Sequence, residues 1–251
     1  MTIAHLDFSL RIAGPGDLAD VARLRADAYG HHLPGMATAL ATPDPTDTAP
    51  GTTVLVCRDK ASGEVIGTAR IQRNHPRPLP IEGSLVLPAE LAALPRAEIT
   101  RLAIAPGASS LVRPMLVKAC YLAAVASQVR LLVIGARSPA LVRIYRGLGF
   151  EPVGSDARPV PLAHAGNLPH HVLSFDVVGA ERRWHAGRHP LYTFMVETWH
   201  PDLQLLAEPM PEPAAPRPVR TAAATRRWRQ PVSRPVAFAG LAASHRPAVR
   251  A

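Results

Sequence analysis

Cysteine is scarce in this chain: Cys57 and Cys120 are its two thiols, each in an apolar run. Two such residues build no disulfide framework, and they fit a reducing compartment. Met1–Asp7 lacks the basic-then-apolar pattern of a secretory leader. Long apolar runs are missing too. The longest apolar helix to be expected, 111–126, is interrupted by Arg113 and Lys118 and is too short and too charged to span a bilayer. These absences lead to the expectation of a cytoplasmic protein with no transmembrane segment. Negative charge is in deficit, 28 Lys and Arg against 19 Asp and Glu for a net +9, but the excess is local. From Glu208 onward eight arginines meet two glutamates, so the body before them is nearer to balance and is not a strongly basic nucleic-acid surface. No internal repeat is evident.

What is present is a chain 47% hydrophobic and 19% charged, enough for a substantial core. Alternation over 6–13 predicts a strand. Asp17 is expected to cap a helix over 17–29 that Gly30 ends. The Pro-, Thr- and Asp-rich stretch 31–51 reads as a loop, long enough to suggest a lid or wall. Runs 52–58 and 64–72, joined through Asp59-Lys-Ala-Ser-Gly63, predict a hairpin. A short helix or irregular wall is expected over 85–94, a strand over 97–105, and a helix over 110–127 capped by Ser110. Residues 130–136 read as a strand buried on both faces. Ser138 is expected to cap a helix over 139–147, with Pro139 at its first position. Late strands are expected at 151–154 and 171–178. The segment 181–206, with Trp184, Tyr192, Phe194 and Trp199, reads as ordered packing. The Pro-, Ala- and Arg-rich residues 207–251 read as a disordered, solvated tail; its positive charge would suit an acidic partner or an anionic membrane surface.

The chemistry concentrates in Glu98-Ile-Thr-Arg101, an acid and a base in an otherwise apolar strand. A base that takes a proton from an incoming amine prepares it for attack on an activated carbonyl, and Glu98 is a candidate. A planar guanidinium grips a carboxylate through paired hydrogen bonds, a role open to Arg70 and Arg101. Backbone N–H near Ile104 would meet a developing oxyanion. The other reading of Glu98 and Arg101 is a structural ion-pair cluster with Arg25, Asp44, Asp47 and Arg70 that orders 31–51. The histidines near the end, His170-His171, His185 and His189, lack partners at familiar ligand spacing, so no metal is expected.

The order strand–helix–hairpin–strand–helix–strand–helix–strand, with Tyr145-x-x-x-Gly149-Phe150 closing the last of these helices, resembles the GNAT N-acyltransferase fold. The resemblance implies an α/β (α+β) chain with a central mixed sheet, flanking helices and two parallel strands, 98–105 and 130–136, that splay apart. It implies no permanently bound cofactor, an acyl-phosphopantetheine thioester as donor substrate, and Tyr145 as the acid that protonates the departing thiolate. The turn Pro106-Gly107-Ala-Ser109-Ser110-Leu-Val-Arg113 departs from the usual pyrophosphate loop, having one glycine and no Gly-x-Gly. Donor contacts are expected at Ile104, Gly107, Ser109, Ser110 and Arg113.

A closer resemblance lies in Arg25-Ala-Asp-Ala-Tyr29, Asp44-Pro-Thr-Asp47, Arg70 and Glu98-Ile-Thr-Arg101. This ordered set is similar to that of the autoinducer (acyl-homoserine lactone) synthases and of the long-chain N-acyl amino acid synthases. The latter also share Arg188-His-Pro-Leu-Tyr192 and Glu197-Thr-Trp-His-Pro-Asp202, and they are favoured. The resemblance implies one domain over 1–206 with 181–206 as its extension. It further implies a long-chain acyl donor on acyl carrier protein or coenzyme A, a free amino acid acceptor bound by Arg25, Tyr29, Asp44, Asp47 and Arg70, and Glu98, Arg101 and Tyr145 as catalytic residues. The alternatives are an acyl-homoserine lactone synthase, an acetyl-CoA-dependent N-acetyltransferase, and a GNAT-like binding module without turnover.

Overall fold

The computed structural model, which describes residues 2–30, 33–154 and 158–205, interleaves strands with helices along the chain. The expected tail lies outside them. The strands are β1 (Thr2–Ile3), β2 (Phe8–Ile12), β3 (Thr52–Asp59), β4 (Val65–Arg73), β5 (Arg96–Ile104), β6 (Leu131–Ala136), β7 (Glu151–Pro152), β8 (Val160–Leu162), β9 (Leu168–Asp176), β10 (Thr198–Trp199) and β11 (Leu203–Gln204). The helices are α1 (Leu18–Gly30), α2 (Pro34–Leu40), α3 (Ala89–Ala92), α4 (Val112–Ala126), α5 (Pro139–Gly147) and α6 (Ala180–Ala186).

The central sheet runs β11-β2-β3-β4-β5-β6-β9-β7, with β8 beside β9 and a separate β1–β10 pair. Neighbours from β2 to β5 are antiparallel, and β5 and β6 are parallel. The two-residue period of a strand sorts its side chains between layers. Leu55 and Cys57 of β3 join the main core under α4, whereas Val54 and Val56 meet Val21 of α1 on the other face. In β6, Leu132 and Ile134 join the main core, whereas Leu131 and Val133 pack with Leu79, Ile81 and Leu162. That two-sided burial is what the continuous apolar run predicts.

Helix α4 is buried on most of its circumference, Lys118 included. It lies very close to β4 at Gly67, where a Cβ would stand 2.6 Å from Val112 Cγ1. The aromatic residues of α6 and its surroundings are core: Trp184 packs edge-on to Tyr121 and lies 5.6 Å from the Phe175 ring. Trp199 is half exposed instead. No helix among the described residues is long and apolar enough to cross a membrane.

Three local expectations are corrected. Asp17 is not the α1 cap. It ends a 3₁₀ turn, Pro15–Asp17, and its carboxylate accepts from Gly14 N (2.8 Å) while Arg11 and Arg58 donate to it. Burial alone would raise its pKa, but the Arg11, Arg58 and backbone hydrogen bonds outweigh that and bring it down to about 2. Ser110 is not the α4 cap, because the helix starts one residue further on with Leu111 at the cap position and no side-chain cap. Nor is 31–51 a structureless loop: α2 and a 3₁₀ turn, Pro45–Thr48, occupy it. Ser138, as expected, accepts from Leu141 N at 3.3 Å and starts α5.

Candidate active site

Parallel strands β5 and β6 stay paired from Arg96↔Leu131 to Ile99↔Ile134 and then part. Beyond that point β5 leans on β4 and β6 on β9. Between β4 and β5 the register passes from Arg70↔Thr100 to Thr68↔Ala103, so Arg101 and Leu102 face the single residue Ala69. This is a two-against-one bulge, which bends the strand and redirects side chains. Arg101 takes the left-handed backbone, φ 53°, a conformation that costs a non-glycine residue roughly 1–2 kcal/mol. A cavity of about 580 Å³ opens at the parting, lined by the strand residues 98–104, by Ile134 and Gly135, and by side chains of α1, α2, α5 and the β8–β9 turn.

Six of the thirteen expected site residues line the cavity: Tyr29, Glu98, Arg101, Ile104, Arg113 and Tyr145. Gly107, Ser109 and Ser110 occupy the turn before α4 and do not line the cavity. Neither do Arg25, Asp44, Asp47 and Arg70. These four meet one another instead. Arg25 reaches Asp47 at 2.6 Å with both side chains 1% exposed. Arg70 reaches Asp44 at 2.7 Å and Asp47 at 3.4 Å and donates to Thr100 Oγ1. The turn carrying both aspartates is thereby fastened to α1 and β4, behind the wall rather than in it.

Arg101 differs from these neighbours. Among the described residues no carboxylate pairs with it; its side chain reaches the His164 carbonyl at 3.5 Å, and its Nε is buried without a partner. Burial and then the nearby Arg70 push its pKa down, with Tyr29 and Asp44 pulling the other way, yet a guanidinium keeps its charge. Glu98 is 1% exposed. Its Oε2 accepts from Ile81 N at 2.8 Å, and its Oε1 lies 3.1 Å from His164 Nε2. Tyr29 donates to Leu102 O at 3.4 Å, and burial raises its pKa. Tyr145 is pushed up to about 12, chiefly by burial and against the pull of Arg113 beside it. Its hydroxyl therefore holds its proton at neutral pH.

Two histidines stand in the walls: His170 was weighed in the sequence only as a metal ligand, and His164 was not singled out at all. His164 lies on the 3₁₀ turn Ala163–Ala165, and His170 on β9. His170 Nδ1 is 2.7 Å from Leu168 O, an acceptor, so that nitrogen bears the proton; burial lowers its pKa, with His164 and Arg137 adding to the drop. His164 carried no signal beyond its residue type, being set in Leu-Ala-His-Ala-Gly. It reaches Glu98 because β9 pairs with β6, and β6 with β5.

The family model described as N-acyl amino acid synthase FeeM matches residues 20–169, a span that holds every expected site residue and His164. Among solved structures, FeeM, an N-acyl amino acid synthase from uncultured soil microbes, is similar at 20% identity and a TM-score of 0.56, over 75% of this chain and 99% of that one. A CoA-dependent acyl-homoserine lactone synthase, BjaI, solved with SAM and isopentyl-CoA, is similar at 12% identity and a TM-score of 0.52, over 81% of this chain and 95% of that one. No curated protein matches by sequence.

Proposed function

The chain belongs to the N-acyl amino acid synthase FeeM family and is an N-acyltransferase on a GNAT-like mixed sheet, and from that premise we propose that it joins a long-chain fatty acyl group to the α-amine of a free amino acid. The observation that carries this reading is the polar pattern on one wall of the cavity. An unpaired cation, Arg101, stands beside two buried acceptor atoms without hydrogen bonds, Glu98 Oε1 and His164 Nδ1. A zwitterionic amino acid offers a carboxylate to the first and an ammonium to the others. Buried polar atoms left unmatched are costly, and an acceptor of this kind would satisfy all three.

The donor is an acyl-phosphopantetheine thioester entering between β5 and β6, with Arg113 and Arg137 offering charge to its phosphate. The turn 106–111, with one glycine, supports acyl carrier protein over coenzyme A, because a carrier's single phosphate asks less of a backbone cradle than a pyrophosphate does. Apolar side chains such as Leu33, Met36, Ile99, Ile134 and Leu162 line the cavity and suit an alkyl chain, whose burial is worth about 0.8 kcal/mol per methylene. The amine nitrogen, once deprotonated, forms the C–N bond with the thioester carbonyl carbon. Collapse of the tetrahedral adduct breaks C–S, and Tyr145 gives the sulfur its proton.

Mass spectrometry tests the reading. Purified protein supplied with acylated carrier protein and a mixture of amino acids should yield N-acyl amino acids, and no such product with any acceptor refutes it. Acyl-CoA in place of the carrier decides the donor. A lactone formed from S-adenosylmethionine would identify a homoserine lactone synthase instead.

A further inference from the structure

The wall that supports this function also contains a base other than the one the strand motif suggests. Glu98 is held at one oxygen, Oε2, which accepts the Ile81 N–H at 2.8 Å, while Oε1 makes no hydrogen bond among the described residues and lies 3.1 Å from His164 Nε2. A carboxylate held by the backbone at one oxygen and set against an imidazole at the other is poorly placed to follow a moving amine. The imidazole it faces is placed better. With Nε2 bearing the proton toward Glu98, His164 Nδ1 has a free lone pair, and Nδ1 is buried with no partner among the described residues. The ring itself sits in the cavity wall, next to Arg101, whose guanidinium reaches the His164 carbonyl. A carboxylate that fixes the tautomer of an imidazole so that its other nitrogen can take a proton is a recurring acid–base device.

We propose that His164 is the general base of the acyl transfer and that Glu98 is its positioning residue. The inference rests on the function proposed above. Nδ1 takes one proton from the acceptor's ammonium group, directly or through one water, while the Nε2 proton stays on the ring facing Glu98. The freed nitrogen pair then forms the C–N bond as the C–S bond breaks. The amide nitrogen sheds a second proton, which replaces the one Tyr145 gives to the sulfur. The imidazolium returns its proton to solvent. Each bond and proton is accounted for with no further reactant.

His164 sits on a short surface turn rather than in the apolar core, so its replacement spares the fold. His164→Ala should lower kcat/KM by roughly 10²-fold, the usual worth of a positioned base, with the KM for the thioester donor unchanged. Added imidazole should restore at least a tenfold share of the lost rate. His170→Gln, also in the wall, should show no such rescue. A loss under about threefold, no response to imidazole, or rescue confined to His170→Gln overturns the assignment. A readout independent of turnover separates this from failure of the proposed function. Nitrogen NMR of ¹⁵N-histidine-labelled protein should find His164 as the Nε2–H tautomer, and Glu98→Gln should shift that tautomer. An Nδ1–H tautomer, or resonances indifferent to Glu98→Gln, refutes the pair even in a preparation with no measurable activity.

Discussion

At the scale of single residues, two arginines of the same motif set do different work, and charge pairing is what separates them. Arg25 is 1% exposed and pairs with Asp47, itself buried. Removing one partner of such a pair strands a buried charge, which costs about 3–5 kcal/mol. Asp47→Asn should therefore lower the unfolding free energy by about that much in urea titration, and a change under about 1 kcal/mol would contradict a bracing role. Arg101 has no carboxylate partner among the described residues. Its loss breaks no internal pair, and it sits in a left-handed bulge that strains any side chain. Arg101→Gln should leave the melting temperature unchanged or higher. The KM for the amino acid should rise roughly tenfold to a hundredfold, the worth of a charged hydrogen bond of about 1.5–3 kcal/mol, with the donor KM fixed. Steady-state kinetics with each substrate varied in turn would check this, and an equal rise in both KM values would remove Arg101 from the acceptor site. The spacing Glu98-x-x-Arg101 was legible in the sequence because both lie on one strand. His164 was not, because nothing local marks it and a strand pairing across the sheet brings it to Glu98.

At the scale of elements, helices α1, α4 and α5 and strands β2 to β6 followed from periodicity, and the misreadings fell where tertiary contact overrides local preference. The stretch 31–51 carries the Pro and Thr of a loop, yet Asp44 and Asp47 fasten it to α1 and β4 through Arg25 and Arg70, with α2 formed ahead of those anchors and a 3₁₀ turn at them. Helix α4 shows the same effect. Its apolar run announced a helix but not what covers its outer face. Lys118, 3% exposed, points there and donates to the carbonyls of Phe194 (2.6 Å) and Thr198 (2.7 Å), with His200 Nδ1 at 3.2 Å. The ammonium thus ties the centre of α4 to the late segment without a carboxylate. Burial lowers its pKa from 10.5 to about 8. The folded protein then releases this proton at lower pH than the unfolded chain does, so between pH 8 and 10 the unfolded state binds more protons and stability rises with pH. The gain should be about 2 kcal/mol across that interval. Chemical denaturation at both pH values, in wild type and in Lys118→Met, isolates the effect: the variant should lack the rise, and an equal rise in both would assign it elsewhere.

At the scale of the whole molecule, the match to the synthase family ends at residue 169, but the fold does not. Phe175, Val177, Ala180, Trp184 and Met195 belong to the main buried cluster, and Leu203–Gln204 closes the sheet beside β2. Among the described residues, Lys118 finds its carbonyl partners in this late segment. The core and sheet therefore extend, among the described residues, to about 205, past the end of the family match. Two truncations separate these limits. A chain ending at residue 208 should melt within a few degrees of the full chain and keep its acyl-transfer rate. A chain ending at residue 178 loses the Trp184 packing, the Lys118 partners and the β11 edge together. Loss of one large buried aromatic alone costs about 3–5 kcal/mol, a large part of the 5–15 kcal/mol by which a domain is stable. The shorter chain should be insoluble or unfolded by circular dichroism. If it instead melts cooperatively near the full-length temperature, the late segment is an accessory to the catalytic unit and not part of its core.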